Sequence, residues 1–475
     1  MALTWRAVVL AALGVIPVAL FPVPGTVVVW ALVVAAVCAV DIALAASPRA
    51  VSLQRRTPRS VRLGTSTRSE LVVTNTARRR LRAVVRDAWP PSLVPDASLH
   101  LDGAAAGEPL VARSARHDVD LPAGESARVR TPLRPTRRGD RVAGPVTIRS
   151  FGPLRVAARQ ASIAVPARLR VLPEFASRRH LPSRLARLRE MDGRAAVQVR
   201  GEGTEFDSLR EYVVGDDVRS IDWRATARRG DVVVRTWRPE RDRRVVIVLD
   251  TGRTSAARIG TDPVPDDVPD GPAGAERAGG GDDAPSSLGG TRLEAGIEAA
   301  LLLGALADRA GDRVQVLAYD RALRARVAGA AGPRLLPALA ESLSTVEPAL
   351  LETDWPGLVG QVRQRVSQRS LVVLLTSLDP AAVETGLLPV IDRLSGTHQV
   401  VVAAVTDADA ARLRADRSSA AAVYDAAAAA RADLERAAVS TVLRQHGAEV
   451  VEALPDELAP RLADTYLALK AAGRL

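Results

Sequence analysis

The sequence predicts a mixed α/β chain: a parallel sheet covered by helices on both faces, a small β-sandwich-like part before it, and an N-terminal apolar helical hairpin. Three observations predict this. Two apolar stretches open the chain. Short β-branched runs broken by Gly, Pro and Asn follow over residues 49–170. From residue 243 onward, continuous apolar runs alternate with stretches of helical spacing, the signature of buried parallel strands and crossover helices. At 475 residues the chain exceeds one ordinary domain. The expected division is 1–48, 49–170, 171–242 and 243–475.

Residues 3–21 are apolar except Thr4 and Arg6, and residues 26–46 are apolar apart from Asp41. Each approaches the roughly 20 residues a membrane-crossing helix needs. Pro22-Val23-Pro24-Gly25 between them ends one helix and begins the next. Arg6 precedes the pair and Arg49, Arg55, Arg56, Arg59 and Arg62 follow it, while the turn is uncharged. Positive residues stay inside, so two membrane helices with a cytoplasmic body are expected, Asp41 lying at the cytoplasmic interface.

In the next part "SELVVTNT" (69–76), "LRAVVRDAWP" (81–90), "ARVRTPL" (127–133) and "GPVTIRSF" (144–151) read as strands of an antiparallel sandwich. The basic stretch "RPTRRGD" (134–140) reads as a solvated turn. In the C-terminal half, strands are expected at 243–250, 313–320, 370–379, 398–409 and 448–454. Helices are expected at 293–312, 333–346, 356–366 and 459–471, with an Ala-rich one ending near His446. Residues 256–290 are rich in Pro, Gly and Asp without apolar period, and read as a disordered acidic insertion.

Composition closes off several function classes. The net charge of +11 comes from scattered arginines, since Lys470 is the only lysine. No nucleic-acid-reading motif accompanies the charge, so nucleic acid is not expected. A single lysine at 470 also rules out a P-loop. The lone Cys38 excludes an internal disulfide, and five dispersed histidines lack zinc spacing.

Between the two folded parts lies "GEGTEFDSLREYVVGDDVRSIDWRATAR" (201–228), where Phe206, Tyr212 and Trp223 sit among interleaved charges. Thr204 and Asp207 are spaced like a capping box, which predicts a helix with Phe206, Leu209, Tyr212 and Val213 on one face. Gly215 would end it. Asp216 or Asp217 would cap a second helix, burying Ile221 and Trp223 and ending at Gly230, with a strand over 231–237. Glu205, Asp207, Glu211, Asp216, Asp217 and Asp222 alternate with Arg210, Arg219, Arg224, Arg228 and Arg229. Such alternation favours ion pairs and caps over a paired-carboxylate catalyst.

Gly203, Glu205, Phe206, Asp207, Arg210, Tyr212, Gly215, Asp216, Asp217, Arg219, Asp222, Trp223 and Arg228 fall in the order G-x-G-T-E-F-D, R-E-Y, G-D-D, I-D-W, A-T-A-R. In this the chain resembles domain-of-unknown-function family fifty-eight, bacterial proteins often encoded beside MoxR-type AAA+ ATPases. The resemblance implies two membrane helices, a β-rich part, and a von Willebrand factor A-like domain. It also implies a metal-ion-dependent adhesion site there, of the form D-x-S-x-S with a Thr and a strand-end Asp. Here Asp250 and Thr254 match, Gly252 replaces the first Ser, and Thr353 stands for the loop ligand. Ser377 replaces the strand-end Asp, with Asp379 two residues on, and Arg253 brings a positive charge close. Mg²⁺ binding is therefore expected to be weak or lost.

The function expected is a membrane-tethered adaptor or scaffold binding an AAA+ ATPase or its client, with no catalytic residues. A metal-assisted hydrolase using Asp250 and the signature carboxylates is the alternative. An anionic-lipid or nucleic-acid binder working through scattered arginines is the third and weaker reading.

Overall fold

The computed structural model describes residues 2–94, 116–198, 205–214, 216–238, 243–259 and 290–475. The side chains of 192–198, 205–208, 236–238, 408 and 411 are left out. Most of the insertion expected at 256–290 therefore lies outside the described residues, as do Gly203, Thr204 and Gly215. The chain forms two compact units, Met1–Glu174 and Phe175–Leu475.

The first unit opens with β1 (Ala2–Leu3), α1 (Trp5–Ala12), α2 (Val15–Leu20) and α3 (Pro24–Leu44). Among the described residues, α3 is the one helix long and apolar enough to cross a membrane. The first apolar stretch is not the single helix its composition predicts. It breaks at Gly14, where a side chain would run into the Trp30 ring, and the Trp30 indole N–H donates to the Leu10 carbonyl at 3.3 Å. Pro17, which has no N–H to offer the Leu13 carbonyl, interrupts the helical ladder at the same place.

Ten more strands follow: β2 (Val51–Arg56), β3 (Ser60–Arg62), β4 (Thr67–Asn75), β5 (Leu81–Arg86), β6 (Arg116–Leu121), β7 (Ser126–Leu133), β8 (Gly139–Val142), β9 (Val146–Phe151), β10 (Ala157–Ile163) and β11 (Arg168–Leu172). They form a five-stranded sheet ordered β1-β10-β9-β5-β6 and three-stranded sheets β2-β4-β7 and β3-β11-β8. Alternate residues such as Leu71, Val73, Leu81, Val85 and Ile148 meet in one core. Beside a second small core, the fully buried Arg55 pairs with Asp87 at 2.6 Å and lies over the Trp89 ring.

Asp41 is the unexpected member of this unit. It is fully buried within the protein, and its carboxylate accepts the backbone N–H groups of Leu154, Val156 and Ala157 at 2.8–3.0 Å. Gly152 leaves room for it; a side chain there would run into Asp41. An isolated buried charge would be costly, and three N–H donors offset that cost.

The second unit begins with α4 (Leu181–Gln198), then β12 (Glu205–Glu211), α5 (Trp223–Arg229) and β13 (Val233–Arg238). The main sheet comprises β14 (Arg244–Asp250), β17 (Arg313–Tyr319), β18 (Leu323–Val327), β19 (Leu371–Leu375), β20 (Gln399–Val405) and β21 (Ala448–Ala453), with the small pair β15 (Arg258–Ile259) and β16 (Gly290–Thr291) outside it. Its order is β18-β17-β14-β19-β20-β21. All neighbours are parallel except the edge strand β18, an antiparallel addition the sequence pattern did not predict.

The helices are α6 (Arg292–Arg309), α7 (Leu335–Ser344), α8 (Trp355–Arg365), the short α9 (Pro380–Ala382), α10 (Leu388–Ser395), α11 (Ala408–Ala415), α12 (Ala420–Gln445) and α13 (Pro455–Ala471). Val245, Ile247 and Leu249 point into one core with α6, α7 and α13, while Val246 and Val248 point into another with α8 and α10. Burial on both faces is why these strands read as unbroken apolar runs. Lys470 on α13 lies over the Tyr466 ring, donates to Asp312 at 2.8 Å, and is almost wholly enclosed.

Candidate functional site

Two places in the second unit gather the residues that the sequence singles out. One is the crevice at the C-terminal ends of β14 and β19, where strand order reverses about β14. Open α/β sheets bind ligands there because the loops on the two sides diverge.

Asp250 ends β14 and is buried. Its Oδ1 accepts from the Gly252 N–H at 2.8 Å and from the Thr353 hydroxyl at 2.5 Å. Its Oδ2 accepts from Thr376 at 2.6 Å and from Thr254 at 3.5 Å. The three residues Asp250, Thr254 and Thr353 do converge. Thr376 is the partner that sequence reasoning missed. Attention went to Ser377 and Asp379, but successive residues leaving a strand point to opposite sides, and it is Thr376 that faces Asp250. Asp379 instead caps α9, accepting the Ala382 N–H.

Gly252 also has a physical reason. A side chain at this position would run into the Thr353 hydroxyl, so Thr353 fills the space that a serine side chain would take. Arg253 is not directed at Asp250; it pairs with Glu352 at 2.8 Å, both side chains more than half exposed. A different arginine supplies an internal cation. Arg292, at the start of α6, lines the same crevice as Asp250, Thr376 and Ser377. Burial lowers its pKa, opposed by the charges of Asp379 and Asp407.

Does this set fit a divalent cation? Both oxygens of the only carboxylate at its centre are already occupied by donors. Among the described residues no group of three or more His, Cys, Asp or Glu side chains is placed to hold a metal ion. Hard cations need several oxygen ligands with spare negative charge, and this set does not provide them. What it provides is cohesion: Asp250 ties the loop before α8 to the ends of β14 and β19. Neighbouring Asp320 does similar work, accepting from Thr251, Arg324 and the N–H groups of Arg321 and Ala322. Burial alone would raise its carboxyl pKa, but these donors outweigh burial and hold it low.

The second place is the signature. Residues 205–211 form a strand, β12, paired antiparallel with β13, and not the helix that the capping-box spacing predicts. A bulge between Phe206 and Ser208 puts the register out of simple alternation, which is why the period misleads. Asp217 caps a single turn over Val218–Ser220 by accepting the Arg219 N–H. Asp222 caps α5, accepting the N–H groups of Arg224 and Ala225, and pairs with Arg235 at 2.8 Å. Asp216 pairs with Arg210 at 2.6 Å and accepts the Val213 N–H. Gly230 ends α5 in the left-handed region at φ 86°. Asp216, Asp217 and Asp222 are thus each engaged locally, and of the arginines that alternate with them in sequence Arg210 is the one paired among the described residues.

Trp223 is not buried. Its side chain is 66% exposed, because α5 turns its first residue outward while Ile221 bridges to Val234. Val214 is 94% exposed, and Val213 and Val218 are exposed too. Tyr212 is half-buried, and Arg219 and Arg228 are exposed.

Likenesses to solved structures are low. The ASH/PapD-like domain of human CEP192 aligns at 10% identity over 26% of this chain and 85% of its own, with a TM-score of 0.16. An Escherichia coli alpha-2-macroglobulin fragment spanning domain MG7 to the C-terminus gives 21% identity over 27% of this chain and 17% of its own, TM-score 0.19. The CARDB domain of PF1109 from Pyrococcus furiosus gives 13% identity over 24% and 95%, TM-score 0.15. Superpositions this poor carry no argument about fold or function. No curated protein matches the chain. The family described as Protein of unknown function DUF58 matches residues 208–263, which take in the signature from Ser208 onward and β14, and so supports the kinship those motifs suggested.

Proposed function

We propose that the chain is a membrane-tethered adaptor, and that its α/β unit is a von Willebrand factor A-like domain binding protein partners, working with a MoxR-type AAA+ ATPase. In this reading a two-helix hairpin holds a cytoplasmic body at the membrane. The observation that carries it is the exposure of Val213, Val214, Val218 and Trp223 beside the caps and ion pair made by Asp216, Asp217 and Asp222. Exposed aromatic and aliphatic side chains on a rigid mount are what a protein interface uses as anchors. Asp216, Asp217 and Asp222 are engaged in caps and ion pairs and Asp250 with its hydroxyls, which favours docking over the hydrolase reading.

The test is capture of a purified MoxR-type ATPase by the detergent-solubilised chain, with Trp223→Ala and Val214→Ser variants. We expect at least a tenfold loss of capture with an unchanged circular dichroism spectrum. Capture unchanged in both variants would overturn the reading.

A further inference from the structure

We propose that the β9–β10 turn, Gly152 to Val156, together with the start of α1, forms a lipid-headgroup contact surface in which Leu154 and Trp5 enter the bilayer interface and Arg6 and Arg155 meet anionic headgroups. The proposal rests on the membrane tethering argued above.

Its first support is where the turn is held. Asp41 lies 17 residues beyond Pro24 in α3. At about 1.5 Å per residue that is roughly 26 Å along the axis, close to the ~30 Å of a hydrocarbon core. A helix spanning from Pro24 therefore brings Asp41 to the opposite edge of the apolar layer. The carboxylate grips the N–H groups of Leu154, Val156 and Ala157, so the turn sits at that edge too.

The other end of the hairpin meets the same turn. The Thr4 hydroxyl donates to the carbonyls of Arg155 and Val156 at 2.7 and 2.9 Å, and β1 pairs with β10 through Leu3 and Ala157. Arg6 donates to the Leu154 carbonyl at 3.2 Å and lies over the Trp5 ring. Four independent ties thus fix one level for the turn and both helix ends.

The side chains at that level suit a lipid interface. Trp5 is 71% and Leu154 51% exposed. Arg155 adopts φ 56°, a conformation that few side chains favour, and it is exposed beside them. Arg79 approaches from the β4–β5 turn and donates to the Ala43 carbonyl at the end of α3. Trp at the boundary and Arg just outside it is the arrangement membrane interfaces select. An acidic protein would also satisfy the arginines, but a bilayer is the one partner that α3 brings to this surface in every copy.

The experiment uses the full chain reconstituted into phosphatidylcholine bilayers with and without phosphatidylglycerol. Cys38→Ala removes the only cysteine, and a nitroxide is placed at Leu154→Cys or at Ser162→Cys near the far end of β10. We expect the label at 154 to show several-fold higher accessibility to oxygen relative to a water-soluble nickel chelate than the label at 162. We also expect Arg155→Asn to reduce the difference between the two lipid mixtures. Equal, water-like accessibility at both positions in a chain that resists alkaline extraction would overturn this proposal alone. A chain released by alkaline carbonate would overturn both this proposal and the tethering reading.

Discussion

The crevice at Asp250 and the signature around Trp223 sit in one unit and treat their polar and apolar groups in opposite ways. At the crevice a carboxylate is turned inward and each oxygen is met by donors on neighbouring loops. At the signature Asp216, Asp217 and Asp222 are met locally, by caps and by Arg210 and Arg235, while Val213, Val214, Val218 and Trp223 are exposed. One place is closed and holds loops together. The other is closed beneath and open above, as a docking surface must be. The difference teaches that an array of Asp and Arg marks a stiff platform, whereas recognition is carried by the few apolar residues mounted on it.

The comparison breaks most visibly if Asp250 is dispensable. Asp250→Ala leaves Thr353, Thr376 and the Gly252 N–H without their acceptor. The expected loss is about 3–5 kcal/mol, the usual cost of dismantling a buried charged network, measured by urea denaturation. Excess Mg²⁺ or chelator should leave the midpoint of the native chain unchanged; a shift with Mg²⁺ would show that the hydroxyls serve as metal ligands.

Next in size is Gly252→Ser, which restores the residue of a metal-binding motif. It collides with the Thr353 hydroxyl and should cost about 1–3 kcal/mol by overpacking. Adding Thr353→Ala should return most of that loss. If Gly252→Ser alone is neutral, the crevice has more room than its packing indicates.

The acid limb of stability offers a third measurement. The Asp320 carboxyl titrates lower in the folded chain than in the unfolded one. Its contribution is therefore complete above about pH 4, the unfolded value, and drains away as pH falls through the folded value. Asp320→Asn should lower stability at pH 7 and flatten the decline below pH 4. A decline as steep as in the native chain would show that other carboxylates set the limb.

The smallest stability effect is expected at Trp223→Ala, within about 0.5 kcal/mol, as for other exposed positions. A loss of several kcal/mol would mean that the ring is covered, and the contrast between the two places would fail.

Much of the second unit was readable because its strands are buried on both faces: "RVVIVLD" of β14 needs no knowledge of its neighbours. Asp250, Thr254 and Thr353 were readable for a related reason, as they lie at the ends of such elements. Thr376 was not, since only the turn leaving β19 decides whether it or Ser377 faces Asp250. The signature misled in two ways. Its spacing of Phe206, Leu209, Tyr212 and Val213 fits a helix, and only pairing with β13 makes it a strand. A helix capped at Asp216 or Asp217 would bury Trp223, yet α5 starts at Trp223 itself, capped by Asp222, and leaves the ring exposed. Asp41 gave no sign of its role, because its three donors lie more than a hundred residues away.

Lys470 has a consequence for how the chain can be handled. Its amine is held between Asp312, Tyr466 and the Ala310 carbonyl with little of it reaching water. Every other fixed positive side chain is an arginine. Amine-directed cross-linkers, dyes and acylating agents therefore find almost no lysine to react with on the folded surface. A neighbour's lysines have no lysine counterpart there to be joined to. Mapping contacts of this protein calls for carboxyl-directed or photoreactive reagents, and acylation of Lys470 would itself serve as a reporter that α13 has come away from the sheet.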